Sequence, residues 1–238
     1  MFERGTAIVT LTKWGVSTSE KIAKVLDRAQ IKYSIYAPTE LCSAQIQPFN
    51  ESLDRLFANL FDDFDAIIAV MTVGIVVRSL GPLTIDKKTD PAVVVVDDLG
   101  KYAISLLSGH IGGANKLAKI IASGIYAEPI ITTATELLGK KCVEEIAEEQ
   151  NLNIVNFETL VRVNSAIVNE KKVLIATIGE VASPKIKMKN TDIKSASNIE
   201  QIKEIMQDYD AGIIIADDPL SLEEVTKPIA ILTTKKGP

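Results

Sequence analysis

The chain has 238 residues, of which 47% are hydrophobic and 24% are charged, and its formal net charge is −5. This length and composition are enough for a sizeable core and for two domains. The negative charge argues against a general nucleic-acid-binding protein, and no apolar run reaches membrane-spanning length. The N-terminus lacks the features of a signal peptide, and Cys42 and Cys142 are isolated in the sequence. We therefore expect a cytoplasmic protein with reduced structural thiols and no metal-binding cluster.

The first part of the chain alternates apolar runs with amphipathic patterns. Strands are predicted at residues 6–11, 32–37 and 65–71, and helices at residues 20–29 and around residues 53–60. Ser17 or Ser19 is expected to cap the first helix and Asn50 the second. Trp14 is expected to cover the edge of the core, with a face for a flat ligand as the alternative. Because the strands are apolar throughout, this order predicts an open, mainly parallel sheet covered on both faces.

The pattern changes after residue 91. Residues 92–96 and 101–107 are strand-like and flank a short turn that ends at Gly100, which predicts a β-hairpin inserted into the α/β domain. The glycine-rich stretch LLSGHIGGANKLAKIIA follows at residues 106–122, and it contains the only histidine, His110. A glycine-rich loop before a helix presents backbone N–H groups to an anion, and a titratable imidazole inside it indicates a site.

Residues 129–133 predict one more strand, and Thr135 is expected to cap a helix over residues 136–149. We place the first domain at residues 1–136 and a second, smaller α/β domain at residues 137–238. In the second domain, strands are expected from Asn153, Val173, Gly212 and Pro228, with helices at residues 158–168 and 198–207. Residues 185–194 predict a solvated loop or an edge strand.

Three blocks of sequence carry a family resemblance. They are VGIVVRSLGP with DKKTDPAVVVVDDLG at residues 73–82 and 86–100, LLSGHIGGANKLA at residues 106–118, and PIITTATE at residues 129–136. Together they resemble the N-terminal part of the cobalamin-biosynthesis protein G family, the cobalt-precorrin-5A hydrolases. The second domain resembles the middle domain of that family. Members commonly continue into a C-terminal domain, and we expect that domain to be separate from this chain or removed from it.

The resemblance implies a step of the anaerobic route to cobalamin. The family opens the δ-lactone of cobalt-precorrin-5A with water and releases acetaldehyde, which gives cobalt-precorrin-5B. The resemblance implies no resident cofactor, because the cobalt is carried by the tetrapyrrole substrate. The expected partners are that substrate and, beyond it, a separate C-terminal domain or other enzymes of the pathway, with no nucleic acid and no membrane. The sequence leaves the oligomeric state open, a homo-oligomer included.

Candidate site residues are taken from the matching blocks. His110 is the first candidate for the catalytic base, with Asp86, Asp90 and Asp97 as alternatives. The substrate carries acetate and propionate groups, which cations and helix N-termini would hold. The candidates for substrate binding are Arg78, Lys87, Lys88, Ser108, Gly109, Gly112, Gly113, Asn115, Thr132 and Thr133.

Two alternative functions stay open at this point. One is a non-enzymatic module that binds or scaffolds corrinoid intermediates. The other is a phosphate- or nucleotide-binding α/β protein, although the chain has neither GxGxxG nor GxxxxGK[ST]. Each candidate residue also has a structural interpretation, such as a turn, a helix cap or helix–sheet packing.

Overall fold

The computed structural model describes residues 2–84, 89–179, 181, 184, 186, 188–218 and 226–234. The chain divides into two compact units, Met1–Thr132 and Thr133–Pro238. The division falls four residues before the end of the predicted first domain.

The first unit contains a seven-stranded sheet with the order β3-β2-β1-β4-β5-β6-β7. Its strands are β1 (Thr6–Thr10), β2 (Tyr33–Pro38), β3 (Ile46–Phe49), β4 (Ala66–Val70), β5 (Ala92–Val96), β6 (Tyr102–Leu107) and β7 (Glu128–Ile130). Its helices are α1 (Lys13–Arg28), α2 (Leu53–Asp63), α3 (Val73–Leu80) and α4 (Ala114–Ile125).

Strands β1 to β5 are parallel, and β6 and β7 run in the opposite direction, β6 being antiparallel to β5. Alternate residues of the central strands point to two buried clusters: Ile8 and Val94 pack with α1 and α4, whereas Val9 and Val95 pack with α2 and α3. The sheet is therefore covered on both faces, which explains why its strands are apolar throughout.

The second unit contains a five-stranded sheet with the order β10-β9-β11-β12-β8. Its strands are β8 (Asn153–Ile154), β9 (Val173–Ile178), β10 (Thr191–Ala196), β11 (Ala211–Ala216) and β12 (Ile229–Thr233), and only the short β8 pairs antiparallel among these described strands. Its helices are α5 (Ala134–Leu137), α6 (Val143–Glu149), α7 (Leu160–Val168) and α8 (Ile199–Ile205). The predicted fold class is confirmed: an open, mainly parallel sheet with an inserted hairpin, then a smaller α/β domain.

The first helix differs from the prediction, because it begins at Lys13 rather than near residue 20. Thr12 is the cap, and its Oγ1 accepts a hydrogen bond from the N–H of Gly15. Gly15 obscures the helical pattern, but a Cβ at this position would lie 2.0 Å from Oγ1 of Thr10. The expectation that Trp14 covers the edge of the core is also wrong, since this residue, in the first turn of α1, is 60% exposed.

Other boundaries differ for local reasons. Ser52, not Asn50, caps α2. The predicted helix over residues 136–149 is two short helices, because Gly139 has a φ of +61° and the chain turns before Cys142 starts α6. The sequence does not predict strand β3, which contains Pro48, a residue that an edge strand tolerates. It does not predict helix α3 either, because the β-branched residues of that helix favour a strand.

The packing of α1 against α4 gives the first testable prediction. A Cβ at Gly124 would lie 2.3 Å from Cγ2 and 3.0 Å from Cβ of Val25. We expect Gly124→Ala to lower the free energy of unfolding by about 1–3 kcal/mol, because neither helix backbone yields easily. Urea unfolding followed by circular dichroism measures this change.

Gly74→Ala is the matched control, because only Nη1 of Arg78, at 3.7 Å, lies near its Cβ position among the described atoms. This exposed glycine of α3 should gain up to about 1 kcal/mol from the higher helix propensity of alanine. Equal stability changes for the two variants would contradict the close contact between α1 and α4.

Candidate functional site

The direction of β6 decides where the glycine-rich loop lies. Leu107, at the end of β6, pairs with Val93 near the start of β5. Residues 108–113 therefore lie at the edge of the sheet where β1, β4 and β5 begin, and where β6 and β7 end. We call this loop, with the adjacent Asp90, the glycine-loop site.

Carbonyl groups of the loop accept hydrogen bonds from most of the backbone N–H groups at the start of α4. The N–H of Gly113 donates to the carbonyl of His110 (3.0 Å), that of Ala114 to Ser108 (3.2 Å), and that of Asn115 to Gly109 (3.0 Å). The expectation that the Gly113 N–H is available to a substrate carboxylate is therefore not supported, because the loop carbonyls satisfy the start of the helix.

The glycines hold the loop close to its neighbours. A Cβ at Gly112 would lie 2.4 Å from Cβ of Ser108 and 2.9 Å from its carbonyl oxygen, and a Cβ at Gly109 would lie 2.8 Å from Oδ1 of Asn115. Gly113 caps α4 with a φ of +85°, and Ser108 also has a positive φ, of +54°. A non-glycine residue at positive φ carries strain, which folded proteins often place at functional sites.

Two side-chain hydrogen bonds fix the loop to the sheet. Oγ of Ser105 donates to Oδ1 of the buried Asn115 (2.7 Å), and Oγ of Ser108 donates to the carbonyl oxygen of Asp90 (3.0 Å). A register shift between Val93 and Val94 bends the hairpin just before the loop, as bulges beside functional sites do. The sequence does not single out Ser105, because there it is one more residue of an apolar strand.

His110 and Asp90 are the titratable candidates at this site. His110 is half-buried in the loop, and its carbonyl oxygen holds the turn by accepting from Gly113. Asp90 is buried, with 7% of its surface exposed. A half-buried imidazole on a rigid loop is suited to take a proton from a water molecule or to polarise a carbonyl group.

Asp97 lies at the opposite end of β6 from His110. Its carboxylate accepts hydrogen bonds from the N–H groups of Leu99 (3.0 Å), Lys101 (2.8 Å) and Tyr102 (2.7 Å). These bonds close the turn between β5 and β6, so the carboxylate of Asp97 stabilises the hairpin.

The remaining candidates are dispersed. Arg78 lies on α3, and its Nη1 is 3.4 Å from the carbonyl oxygen of Gly74, which directs the guanidinium toward the start of that helix and away from the glycine loop. Thr132 follows β7 at the edge of the glycine-loop site, and Thr133 begins the second unit as the cap residue of α5. Asp86, Lys87 and Lys88 lie outside the described residues.

The first unit is thus a doubly wound α/β unit with a histidine-containing glycine loop at the ends of its two reversed strands. Residues 55–136 match the family model described as cobalamin synthesis G N-terminal. Over this segment, the resemblance predicted from the sequence is confirmed.

Two curated relatives are named cobalt-precorrin-5A hydrolase. The one from Priestia megaterium is 35% identical over 170 residues, and the one from Salmonella typhimurium is 34% identical over 168 residues. The alignments cover 71% and 70% of this chain but 46% of each relative. The chain therefore spans less than half the length of the relatives that it matches.

A solved structure supports the fold. It is described as a cobalamin biosynthesis protein G homolog from Sulfolobus solfataricus, with a TM-score of 0.54 and 23% identity, and the match covers 97% of this chain and 60% of that one. Within the described residues, no helix has both the length and the apolar character needed to cross a bilayer.

The position of Asp97 gives the second testable prediction. Asp97→Ala should lower the free energy of unfolding by about 1–3 kcal/mol, because three N–H groups lose a charged acceptor. Asp62→Ala is the control: the carbonyl oxygen of this exposed residue of α2, rather than its side chain, accepts from Arg4, and stability should change by less than about 0.5 kcal/mol. Unchanged stability together with lost enzymatic turnover would restore Asp97 as a catalytic candidate.

Proposed function

We propose that this chain acts in cobalamin biosynthesis and contributes to the hydrolysis of the δ-lactone of cobalt-precorrin-5A, with cobalt-precorrin-5B and acetaldehyde as products. The observation that carries the proposal is the identity of about a third to two curated cobalt-precorrin-5A hydrolases over some 170 residues. We place the reaction in the cytoplasm, which agrees with the two free cysteines.

The glycine-loop site is our choice for the chemistry. In lactone opening, the oxygen of water bonds to the acyl carbon, the acyl–oxygen bond breaks, and a carboxylate and an alcohol result. The carbon–carbon bond between the alcohol carbon and the ring system then breaks. The ring system keeps the electron pair and takes up the hydroxyl proton, and the alcohol carbon leaves with its oxygen and its methyl group as acetaldehyde. His110 would accept the proton of the attacking water, and the buried Asp90 is the alternative base.

Rigidity of the loop supports this choice. The bonds from Ser105 to Asn115 and from Ser108 to Asp90 hold the loop on two sides, so His110 would need little reorganisation before it reacts. The cobalt belongs to the substrate, and we propose no resident cofactor. Lys87 and Lys88 keep their proposed role of binding substrate carboxylates, on sequence grounds alone.

Replacement of His110 tests the proposal. Incubation with cobalt-precorrin-5A and an assay for acetaldehyde should show turnover for the unmodified protein. We expect His110→Ala to lower that turnover by about 10²- to 10⁴-fold, the usual contribution of a general base. His110→Asn should be equally impaired, because an amide can donate a hydrogen bond but cannot take up the proton.

Ser123→Ala is the control, an exposed residue near the other end of α4. Near-normal acetaldehyde release by both His110 variants would remove His110 from the mechanism and favour Asp90. Binding of the substrate without acetaldehyde release, even with the remaining part of a full-length relative supplied as a second chain, would favour the non-enzymatic binding module.

A further inference from the structure

The sheet of the second unit has an edge strand with an open outer side. β10 pairs with β9 on one side and with no other described strand. Four consecutive residues of β10 are exposed: Asp192, Ile193, Lys194 and Ser195. The other described edge strands offer less, because β7 and β8 have only three and two residues and β3 contains Pro48. β10 is therefore the edge strand best suited to pair with another strand within the described part of the chain.

The hydrogen bonds to β9 show which backbone groups of β10 point outward. The N–H of Val173, at the start of β9, donates to the carbonyl oxygen of Asn190 (2.9 Å). In a parallel ladder, every second residue from Asn190 directs its N–H and C=O groups toward β9. The residues between them direct these groups away from the sheet, and they are Thr191, Ile193 and Ser195. A row of outward backbone groups is a template for one more strand.

Two opposite charges lie on one face of this strand. Oδ2 of Asp192 accepts a hydrogen bond from the hydroxyl of Tyr209 (2.6 Å), and Nζ of Lys194 lies 5.2 Å from the centroid of the same ring. Both side chains therefore lie on the Tyr209 side of the sheet, and Ile193 between them lies on the other side. Because both charged residues are exposed, a strand added at this edge would contact them.

The order of these charges favours one pairing of β10 with a second copy of itself. In an antiparallel pair centred on Ile193, Asp192 of each copy lies opposite Lys194 of the other copy, and Ile193 lies opposite Ile193. The two charged pairs are then non-hydrogen-bonded pairs, in which side chains approach most closely. A centre at Asp192 or at Lys194 would instead place like charges opposite each other, which is destabilising. The strand is thus complementary to itself in a single register.

We propose that the chain forms a two-fold symmetric dimer in which β10 pairs antiparallel with β10 of a second copy, centred on Ile193. The outward groups of Thr191, Ile193 and Ser195 exchange about six backbone hydrogen bonds across the two-fold axis. The two five-stranded sheets become one continuous sheet, and neither β10 edge stays open. The pairing uses no residue of the glycine-loop site, so its failure would leave the proposed function intact.

Sedimentation velocity of the unmodified chain over a range of concentrations tests the proposal. Pairing of one short strand is a small interface, so we expect a dissociation constant of about 1–100 μM. The constant should rise with added NaCl, because salt screens exposed charged pairs. Ile193→Pro should give a folded monomer, because proline removes an outward N–H group and no hydrogen bond to β9. Ile193→Lys should also give a monomer, because two cations then meet at the centre of the pair.

Charge reversal on β10 tests the register. Asp192→Lys and Lys194→Asp each place like charges opposite each other, and each should weaken self-association by about tenfold or more. An equimolar mixture of the two variants should form a dimer again, because every charged pair then joins a cation to an anion. Lys24→Glu is the control: it reverses an exposed charge on α1 and should leave self-association unchanged.

Three results would overturn the proposal. The first is a monomer for the unmodified chain over the whole concentration range. The second is self-association that survives both Ile193 variants, because the dimer then uses another surface. The third is a mixture of the two charge-reversal variants that stays monomeric although circular dichroism shows both to be folded.

Discussion

The reversal of the chain at β6 is the constraint on which the organisation of the first unit depends. β5 and β6 pair antiparallel, so the loop after β6 lies at the edge where the other central strands begin. The turn that makes this possible is closed by the carboxylate of Asp97, which accepts three backbone N–H groups. Without the reversal, the glycine loop would lie beside the starts of α1 and α3. With it, the unit has two separate edges that carry chemically distinct groups.

The two edges differ in how their backbone groups are satisfied. At the glycine loop, the carbonyls of Ser108, Gly109 and His110 accept the first N–H groups of α4, and the loop is locked onto the sheet. At the opposite edge, α3 begins without a side-chain cap, and its first turn contains no acidic residue. The backbone groups of the first edge are therefore satisfied within the unit, whereas the start of α3 is left without a side-chain cap.

The sequence predicts the sheet well because its strands are apolar on both faces, as parallel strands with two covered faces must be. It does not predict α3, because Val73, Ile75 and Val76 favour a strand and pack as a helix under the sheet. At the site, Asp90 and Ser108 lie directly before and after the predicted hairpin, and the structure joins them by a hydrogen bond. It does not show that Arg78 turns toward Gly74, because that contact lies within a helix that the sequence does not predict. It does not show that Ser105 anchors Asn115 either, because that bond is a tertiary contact between β6 and α4.

The central claim is that the tetrapyrrole substrate reacts at the glycine loop. Hydrogen exchange of backbone amides tests this claim most directly. Peptides that cover residues 105–117 are followed by mass spectrometry with and without saturating cobalt-precorrin-5A, using His110→Ala to prevent turnover. We expect slower exchange in this segment, because a bound macrocycle would suppress local opening of the loop. Unchanged exchange across residues 105–117, with protection confined to other segments of the chain, would contradict it.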